Sequence, residues 1–157
     1  MKQIAFYQTM LGLVGIAEKN GALTDLFFGR EHQPQDSVER ETPLLREAAK
    51  QLKEYLAGKR KTFELALAPE GTSFRKTVWG ALREIPYGET RSYKQVATVI
   101  GQPGASRAIG MANNKNPLLI LIPCHRVISN SGKLVGYAAG LDVKEKLLEL
   151  EKHRVRR

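Results

Sequence analysis

The sequence has few of the residues that form disulfides and bind metal ions. It contains one cysteine, Cys124, and three histidines, His32, His125 and His153. A single cysteine cannot form an internal disulfide bond, and no CxxC motif or His/Cys cluster has the spacing of a tetrahedral zinc site. The sequence therefore excludes a fold stapled by disulfides, and we expect no bound metal.

Long apolar runs are also missing. No stretch approaches the roughly 18 consecutive apolar residues of a membrane span. The apolar N-terminal stretch is broken by Gln8 and Thr9, and no small-residue cleavage pattern of a signal peptide follows it. We therefore expect a soluble protein in a reducing compartment, where the Cys124 thiol stays free.

Excess positive charge is confined to the second half of the chain. Residues 1–71 hold ten Lys and Arg against ten Asp and Glu, whereas residues 72–157 hold 15 against six. The formal net charge of +9 therefore belongs entirely to the second half. This asymmetry favours a polyanionic partner, of which nucleic acid is the commonest, over a basic surface that is merely solvated.

The first half, residues 1–71, is predicted to form a small antiparallel sheet with one helix. Asn20-Gly21 between two apolar runs is a strong signal for a two-residue hairpin. Leucines and alanines recur at helical spacing in "TPLLREAAKQLKEYLAG", and Gly58 lies near the end of that helix. "TFELALAP" is predicted as a further strand. Acidic and basic residues alternate as on a solvated helix face, so this half is interpreted as a support domain.

The second half, residues 72–157, is predicted to be mostly helical, because the loop composition of residues 68–73 marks a boundary. Thr72 or Ser73 caps a first helix that ends at Pro86. Ser92 caps a second, and Ser106 caps a third after a Gly/Pro turn. Two short helices joined by such a turn are typical of a helix-turn-helix, although ordinary all-α cores also contain them.

Arg107 lies in the first turn of the third predicted helix, the end that usually points at nucleic acid. The alternative is an exposed arginine paired with a carboxylate. A closing amphipathic helix is predicted from "LDVKEKLLELEKH", with five apolar residues available for the core: Leu141, Val143, Leu147, Leu148 and Leu150.

The apolar run Leu118 to Ile122 is predicted to be a buried strand, with Pro123 and Cys124 at its end. A free cysteine is most often a small buried hydrophobe. His125 and Arg126, however, would both favour the thiolate, which makes Cys124 a candidate nucleophile. A cysteine hydrolase is a third interpretation, but adjacent strand residues face opposite ways, and hydrolase Cys and His usually come from distant segments.

The motif "IPCHRV" resembles the active-site signature of the O6-alkylguanine-DNA alkyltransferases. The resemblance covers residues 72–153, including "FRKTVWGALREIPYGETRSYKQVA" and "GASRAIGMANNKNPLLILIPCHRVISNSGKLVGYAAGLDVKEKLL". The ordered set of Tyr93, Arg107, Asn116, PCHRV and a glycine-rich loop before a helix makes it specific. The first half resembles the family only in its coarse order of strands and helix.

The resemblance implies an α+β fold with a ribonuclease H-like N-terminal domain and a winged-helix-like C-terminal domain. It implies a repair protein without cofactor that binds duplex DNA in the minor groove and flips out a guanine alkylated at O6. The alkyl group would then pass irreversibly to Cys124, once per molecule. O4-alkylthymine is a further expected substrate.

The same resemblance implies residue roles. Arg107 would replace the flipped base in the stack, and Tyr93 would crowd the phosphate and donate a proton toward the departing guanine. Asn116 would order the active-site turn, while His125, through a water, would relay the thiol proton to Glu151. The other implied residues are DNA contacts at Ser92, Ala105 and Gly110 and pocket residues at Val127, Tyr137, Ala138 and Ala139.

Two departures from the family pattern stand out. Ala138 replaces the serine that often follows the pocket tyrosine, so a hydroxyl contact to the O6 atom is missing. The zinc that some members carry in the N-terminal domain has no ligands here, while Cys124 distinguishes the chain from relatives that bind alkylated DNA without repairing it. We expect a monomer, with cooperative DNA binding left open, in the cytoplasm or, in a eukaryote, the nucleus.

Overall fold

The computed structural model describes residues 1–155. Their contacts divide into two compact units. The first consists of residues 1–70 together with residues 117–121, and the second contains residues 71–116 and the chain from residue 122 onward. Both predicted domains were single stretches, whereas the structure assigns the short segment 117–121 to the first unit. The two units are described separately below.

The first unit contains a four-stranded sheet. Its strands are β1 (Lys2–Thr9), β2 (Gly12–Lys19), β3 (Ala22–Phe28) and β4 (Ser37–Glu39), arranged in the order β3-β2-β1-β4. The β1–β2 and β2–β3 pairs are antiparallel, but β4 lies parallel to β1. The predicted antiparallel sheet is therefore found in β1 to β3, and β4 makes the sheet mixed: after β3 the chain crosses to the opposite edge and runs there in the direction of β1.

The turn between β2 and β3 is the predicted Asn20-Gly21 hairpin. Both residues have positive φ, 54° for Asn20 and 80° for Gly21. This is the backbone of a type I′ turn, whose twist matches that of antiparallel strands, and Asn-Gly adopts it with little strain. The hairpin prediction is confirmed.

The first unit also contains one α-helix, α1 (Pro43–Leu56), and a short 3-10 helix at Arg30–His32. Thr42 caps α1 by accepting a hydrogen bond from the Leu45 amide at 3.1 Å, and Pro43 occupies the first turn, where no amide hydrogen is needed. The apolar face that the sequence predicted is buried at Leu45, Ala48, Leu52, Tyr55 and Leu56. Burial of this face against the sheet residues Ile4, Val14 and Ile16 forms the core.

The predicted strand "TFELALAP" is not a regular strand. Its only sheet-like pairing is a single bridge between Leu67 and Leu23. Instead, the side chain of Gln51 satisfies the backbone of Glu64: Oε1 accepts from the Glu64 amide at 2.9 Å, and Nε2 donates to the Glu64 carbonyl at 3.4 Å. A side chain therefore supplies the partners that a neighbouring strand would have offered.

The apolar run Leu118 to Ile122 is buried as predicted, but it does not form a continuous strand. Leu26 pairs with Leu118 alone, accepting from Leu119 and donating to Pro117. Ile120 then has a φ of 72°, a left-handed conformation that is rare for a β-branched residue. This turn ends the pairing after one rung.

The second unit is built from helices α2 (Ser73–Arg83), α3 (Tyr93–Val99), α4 (Ser106–Asn114) and α5 (Leu141–Val155), with a parallel strand pair β5 (Arg91–Ser92) and β6 (Val127–Ile128). Thr72 caps α2, and Ser92 forms a capping box with Gln95 at the start of α3. The prediction that Ser106 caps α4 was wrong. Ala105 occupies the cap position, without a side-chain bond, and Ser106 is the first helical residue.

The core of the second unit joins α2 to α4. Trp79, the only tryptophan, is buried and donates from Nε1 to the Ala112 carbonyl of α4 at 2.9 Å. Val78, Leu82 and Ile109 pack in the same core. Within residues 1–155, no helix is long and apolar enough to cross a bilayer.

Helix α5 buries a mixed face. Val143, Lys144, Leu147 and Glu151 are buried, while Leu148 and Leu150 are half-buried. Leu141, predicted for the core, is 48% exposed. At about 100° per residue it lies opposite Val143, which explains the error.

Candidate active site around Cys124

Cys124 opens a single 3-10 turn, Cys124–Arg126, directly after Pro123. The sequence had predicted a strand end here. The residue is only 1% exposed, and its thiol accepts a hydrogen bond from Asn116 Nδ2 at 3.2 Å. The same Nδ2 donates to the Ile122 carbonyl at 2.9 Å, and Asn113 donates to the Cys124 carbonyl at 3.3 Å. Two buried asparagines thus hold the backbone before and at the cysteine.

A buried ionic cluster follows the cysteine. The carboxylate of Glu151 in α5 is hydrogen-bonded to His125 Nε2 at 2.8 Å. It also accepts hydrogen bonds from Nε and Nη2 of Arg126, each at 2.9 Å. The Gly88 amide donates to the same carboxylate at 3.2 Å. Arg126 also donates to the Ile85 carbonyl at 2.7 Å. The cluster therefore fixes the two residues after Cys124 to the last helix and to the loop after α2.

The protonation states in this cluster follow from burial and pairing. Burial alone would raise the pKa of Glu151, but the hydrogen bonds from His125 and Arg126 and the charge of Arg126 outweigh it and hold that pKa well below its usual value. Burial lowers the pKa of His125, and Glu151 opposes this only in part. A neutral imidazole beside a carboxylate can accept a proton. Within residues 1–155, His125 Nδ1 is buried without a hydrogen-bond partner.

The resting state of Cys124 is a thiol. Burial raises its pKa to about 11, although the Asn116 hydrogen bond and the charge of Lys144 counteract part of the increase. A thiol with this pKa needs a nearby proton acceptor before it can attack carbon. The neutral His125 next to it in the chain has the required chemistry.

Lys144 is a site residue that sequence reasoning missed. Its buried ammonium donates to three carbonyls, those of Val127 at 2.6 Å, Val135 at 2.8 Å and Gly136 at 3.3 Å. Burial lowers its pKa to about 8. The signal available was spacing, because Lys144, Leu147 and Glu151 lie on one face of α5, yet the E/K-rich composition suggested solvated charges.

An open pocket of about 500 Å³ lies beside α4. It is lined by Tyr93 at the start of α3, Arg107 and Gly110 of α4, and Gly136 of the loop before α5. Tyr93 donates to the Val135 carbonyl at 3.3 Å, and burial followed by the charge of Cys124 raises the pKa of its hydroxyl. The exposed Arg107 forms no ion pair with any carboxylate of residues 1–155, so the predicted alternative of a paired arginine is wrong.

The remaining predicted residues are not among those that line this pocket. Ser92 and Ala105 occupy the cap positions of α3 and α4. Val127 and Tyr137 are buried, and the Tyr137 hydroxyl has no hydrogen-bond partner among residues 1–155. Ala138 is exposed and Ala139 half-buried. Across the same residues, no group of three or more His, Cys, Asp or Glu side chains is arranged to hold a metal ion.

Two family models match almost the whole chain. The model of the 6-O-methylguanine DNA methyltransferase ribonuclease-like domain covers residues 3–69, and that of the DNA binding domain of the same proteins covers residues 73–153. The chain belongs to the 6-O-methylguanine DNA methyltransferase family. The alkyltransferase resemblance and the α+β fold class predicted from the sequence are thereby confirmed.

Individual relatives agree with this assignment. A methylated-DNA–protein-cysteine methyltransferase of Methanosarcina barkeri is 59% identical over 123 residues, which are 78% of this chain and 77% of the relative. The constitutive enzyme of Bacillus subtilis is 46% identical over 152 residues, 92% of each chain. The crystal structure of Mycobacterium tuberculosis OGT in complex with DNA superimposes with a TM-score of 0.91 at 42% identity, covering 97% of this chain and 94% of that one.

Proposed function

We propose that the protein repairs DNA by moving an alkyl group from O6 of guanine to Cys124. The observation that carries this proposal is the pairing of the only cysteine with a buried proton-accepting cluster. Its thiol is held by Asn116, and the next residue, His125, binds the carboxylate of Glu151 at 2.8 Å. The relatives named for methyl transfer to a protein cysteine support the same reaction.

In the transfer, a bond forms between Cys124 Sγ and the alkyl carbon while the bond from that carbon to guanine O6 breaks. The thiol proton passes through a water to the imidazole of His125, whose charge Glu151 stabilises. The departing guanine takes a proton from the Tyr93 hydroxyl, which later regains one from solvent. The raised pKa of Tyr93 keeps this hydroxyl protonated until negative charge develops on the base.

The reaction occurs once per molecule. The product is a thioether on Cys124, and water does not reverse the transfer because the cysteine thiolate is a poor leaving group from an alkyl carbon. Asn116 keeps the thiol oriented toward the base and, by hydrogen bonding to sulfur, favours the thiolate as the proton leaves. No cofactor takes part. The sulfur supplies the electron pair of the new bond, and the electron pair of the broken carbon–oxygen bond leaves with the guanine.

Duplex DNA is the substrate, bound in its minor groove by the helix pair α3 and α4. Support comes from the charge excess of the second half and from Arg107 at the start of α4, which is exposed and forms no ion pair with a carboxylate of residues 1–155. Arg107 replaces the flipped base in the stack, since its planar cation stacks and also reaches phosphates. Ser92, Ala105 and Gly110 contact the sugar-phosphate backbone of the DNA. The protein acts as a monomer in the cytoplasm.

The loop after β6 closes over the flipped base. The base contacts Val127 and Tyr137, which are both buried in the structure, and the loop residues Ala138 and Ala139. Ala138 offers no hydroxyl to the O6 atom, so the base is recognised by backbone groups and by stacking. A pocket of this kind also accepts O4-alkylthymine.

The test is intact-mass spectrometry after incubation with a duplex containing O6-methylguanine. One added methyl group per molecule, mapped to Cys124 and absent in Cys124→Ala, is the expected result. Tight DNA binding without any adduct would contradict the proposal and favour a DNA-binding module without chemistry. Repeated turnover of an ester or peptide would instead indicate a cysteine hydrolase.

A further inference from the structure

Helix α4 presents a large apolar side chain to solvent. Met111 is 66% exposed, while Ile109, Ala112 and Asn113 form the buried face of the same helix. Its position is specific, because Met111 follows Arg107 by four residues and both line the 500 Å³ pocket. Residues four apart on a helix share one face, so Met111 and Arg107 point the same way.

Met111 lines this pocket together with the ring of Tyr93 and several polar side chains. Ser106, Asn114 and Asn130 line the same pocket, with the half-exposed Val135 as a second apolar residue. Within residues 1–155, no hydrogen bond, ion pair or ring contact involves the Met111 side chain. Proteins that bind the minor groove combine basic side chains with apolar ones that contact the base steps, and the face of α4 offers one of each, Arg107 and Met111.

We propose that Met111 is an apolar wedge that contacts the duplex beside the flipped nucleotide and keeps the neighbouring base step open. This rests on the proposed function, in which Arg107 occupies the place of the flipped base. Flipping leaves the faces of the adjacent bases without their stacking partner. An unbranched thioether chain adapts to such irregular gaps, and minor-groove proteins use methionine for this purpose.

The spacing fits this contact. Four helical residues advance about 6 Å along the axis, while successive nucleotides of one strand lie about 3.4 Å apart along theirs. With α4 lying along the groove, Met111 meets the duplex one to two base steps from Arg107. The two side chains then act at neighbouring places, Arg107 in the gap and Met111 on its flank.

The substitution Met111→Ala tests this role without threatening the fold. Alanine has a higher helix propensity than methionine, and the removed side chain is exposed. Partial burial of a methionine against DNA is worth about 1 kcal/mol, or a factor of about five. We therefore expect the ratio of the repair rate on duplex DNA to the rate on free O6-alkylguanine base to fall about fivefold.

Three comparisons sharpen the experiment. Met111→Leu should keep most of the ratio because it keeps the apolar bulk, whereas Met111→Gln should lose it because it retains length but not hydrophobicity. Met10→Ala is the matched control, since Met10 is equally exposed at 70% but lies in the first unit. The thermal midpoint of each variant verifies folding.

A 2-aminopurine base placed next to the lesion reports unstacking directly. The wild-type protein should raise its fluorescence on binding, and Met111→Ala should reduce that increase. An unchanged rate ratio together with unchanged fluorescence in Met111→Ala would overturn the wedge. Failure of the proposed function is distinguishable, because the wild-type protein would then form no adduct on Cys124 with either substrate.

Discussion

Arg126 and Glu151 form a two-pronged ion pair in the interior of the second unit. Nε and Nη2 of the guanidinium each lie 2.9 Å from a different carboxylate oxygen, and Glu151 is 1% exposed. Because His125 uses the same carboxylate, the ion pair supports the fold and also sets the charge beside the reactive thiol. Structural and chemical effects of this cluster should therefore be separable by substitution.

Glu151→Gln should destabilise the protein by about 3 kcal/mol or more, because it leaves the Arg126 charge buried without a counter-ion. It should also slow alkyl transfer, since His125 loses the carboxylate that stabilises its charged form. Urea unfolding and the rate of adduct formation measure the two effects. Glu149→Gln is the control: this glutamate lies on the same helix, but its side chain is 56% exposed. Equal losses of stability in both variants would contradict the prediction.

The free energy of unfolding should decrease in two stages as the pH is lowered. The pKa of folded His125 is lowered by burial, so below about pH 6.5 the unfolded chain takes up a proton that the folded protein does not. The pKa of folded Glu151 is also lowered, so its contribution is fully present above the unfolded value of about 4.3 and is lost as the pH falls below it.

Urea unfolding between about pH 7.5 and about pH 2.5 measures both stages of this dependence. His125→Asn should remove the first stage, and Glu151→Gln the second. His32→Asn, at an exposed histidine, is the matched control. A free energy of unfolding that rises between pH 7 and pH 5.5 in the wild-type protein would refute the assignment.

Lys144→Met should loosen the loop before α5, because the carbonyls of Val127, Val135 and Gly136 lose their shared donor. The cost in stability is expected to be about 1–3 kcal/mol for unsatisfied buried groups. Alkyl transfer should slow as well, since Lys144 also lowers the pKa of Cys124. Amide hydrogen exchange across residues 133–140 should become faster than in Lys146→Met, at an exposed lysine of the same helix. Unaltered exchange across residues 133–140 would contradict the proposed role of Lys144 in holding this loop.

Arg107→Ala should slow repair of duplex DNA far more than the reaction with free O6-alkylguanine base. The arginine stabilises the flipped state, whose formation costs a few kcal/mol, and a free base needs no flipping. Single-turnover rates on the two substrates provide the comparison, with the exposed Arg83→Ala of α2 as control. Equal slowing on both substrates would rule out that Arg107 replaces the flipped base in the stack.

Local signals were sufficient where a few neighbouring residues decide the backbone. Asn20-Gly21 specifies its own turn, and Thr72 and Ser92 cap their helices through contacts three residues away. The strand predicted near Glu64 failed because strand formation needs a partner, and the partner supplied was the distant side chain of Gln51. No local pattern encodes that contact.

The candidate site divides in the same way. Cys124 and His125 were identifiable by their motif, and Glu151 by the family resemblance, because each sits in a characteristic sequence. Lys144 was missed, since its burial depends on three carbonyls from residues 127, 135 and 136 that only the folded chain brings together. The left-handed conformation of Ile120 was likewise not predicted, because the apolar run that contains it is typical of a strand.

The hydrogen bond from Trp79 Nε1 to the Ala112 carbonyl gives the protein an intrinsic optical probe. Ala112 is the next residue after Met111 in α4, and the chain has no second tryptophan. Indole emission depends on the polarity around the ring and on its hydrogen bond. Any displacement of α4 during DNA engagement should therefore shift the emission spectrum, so docking can be followed in real time on unlabelled protein.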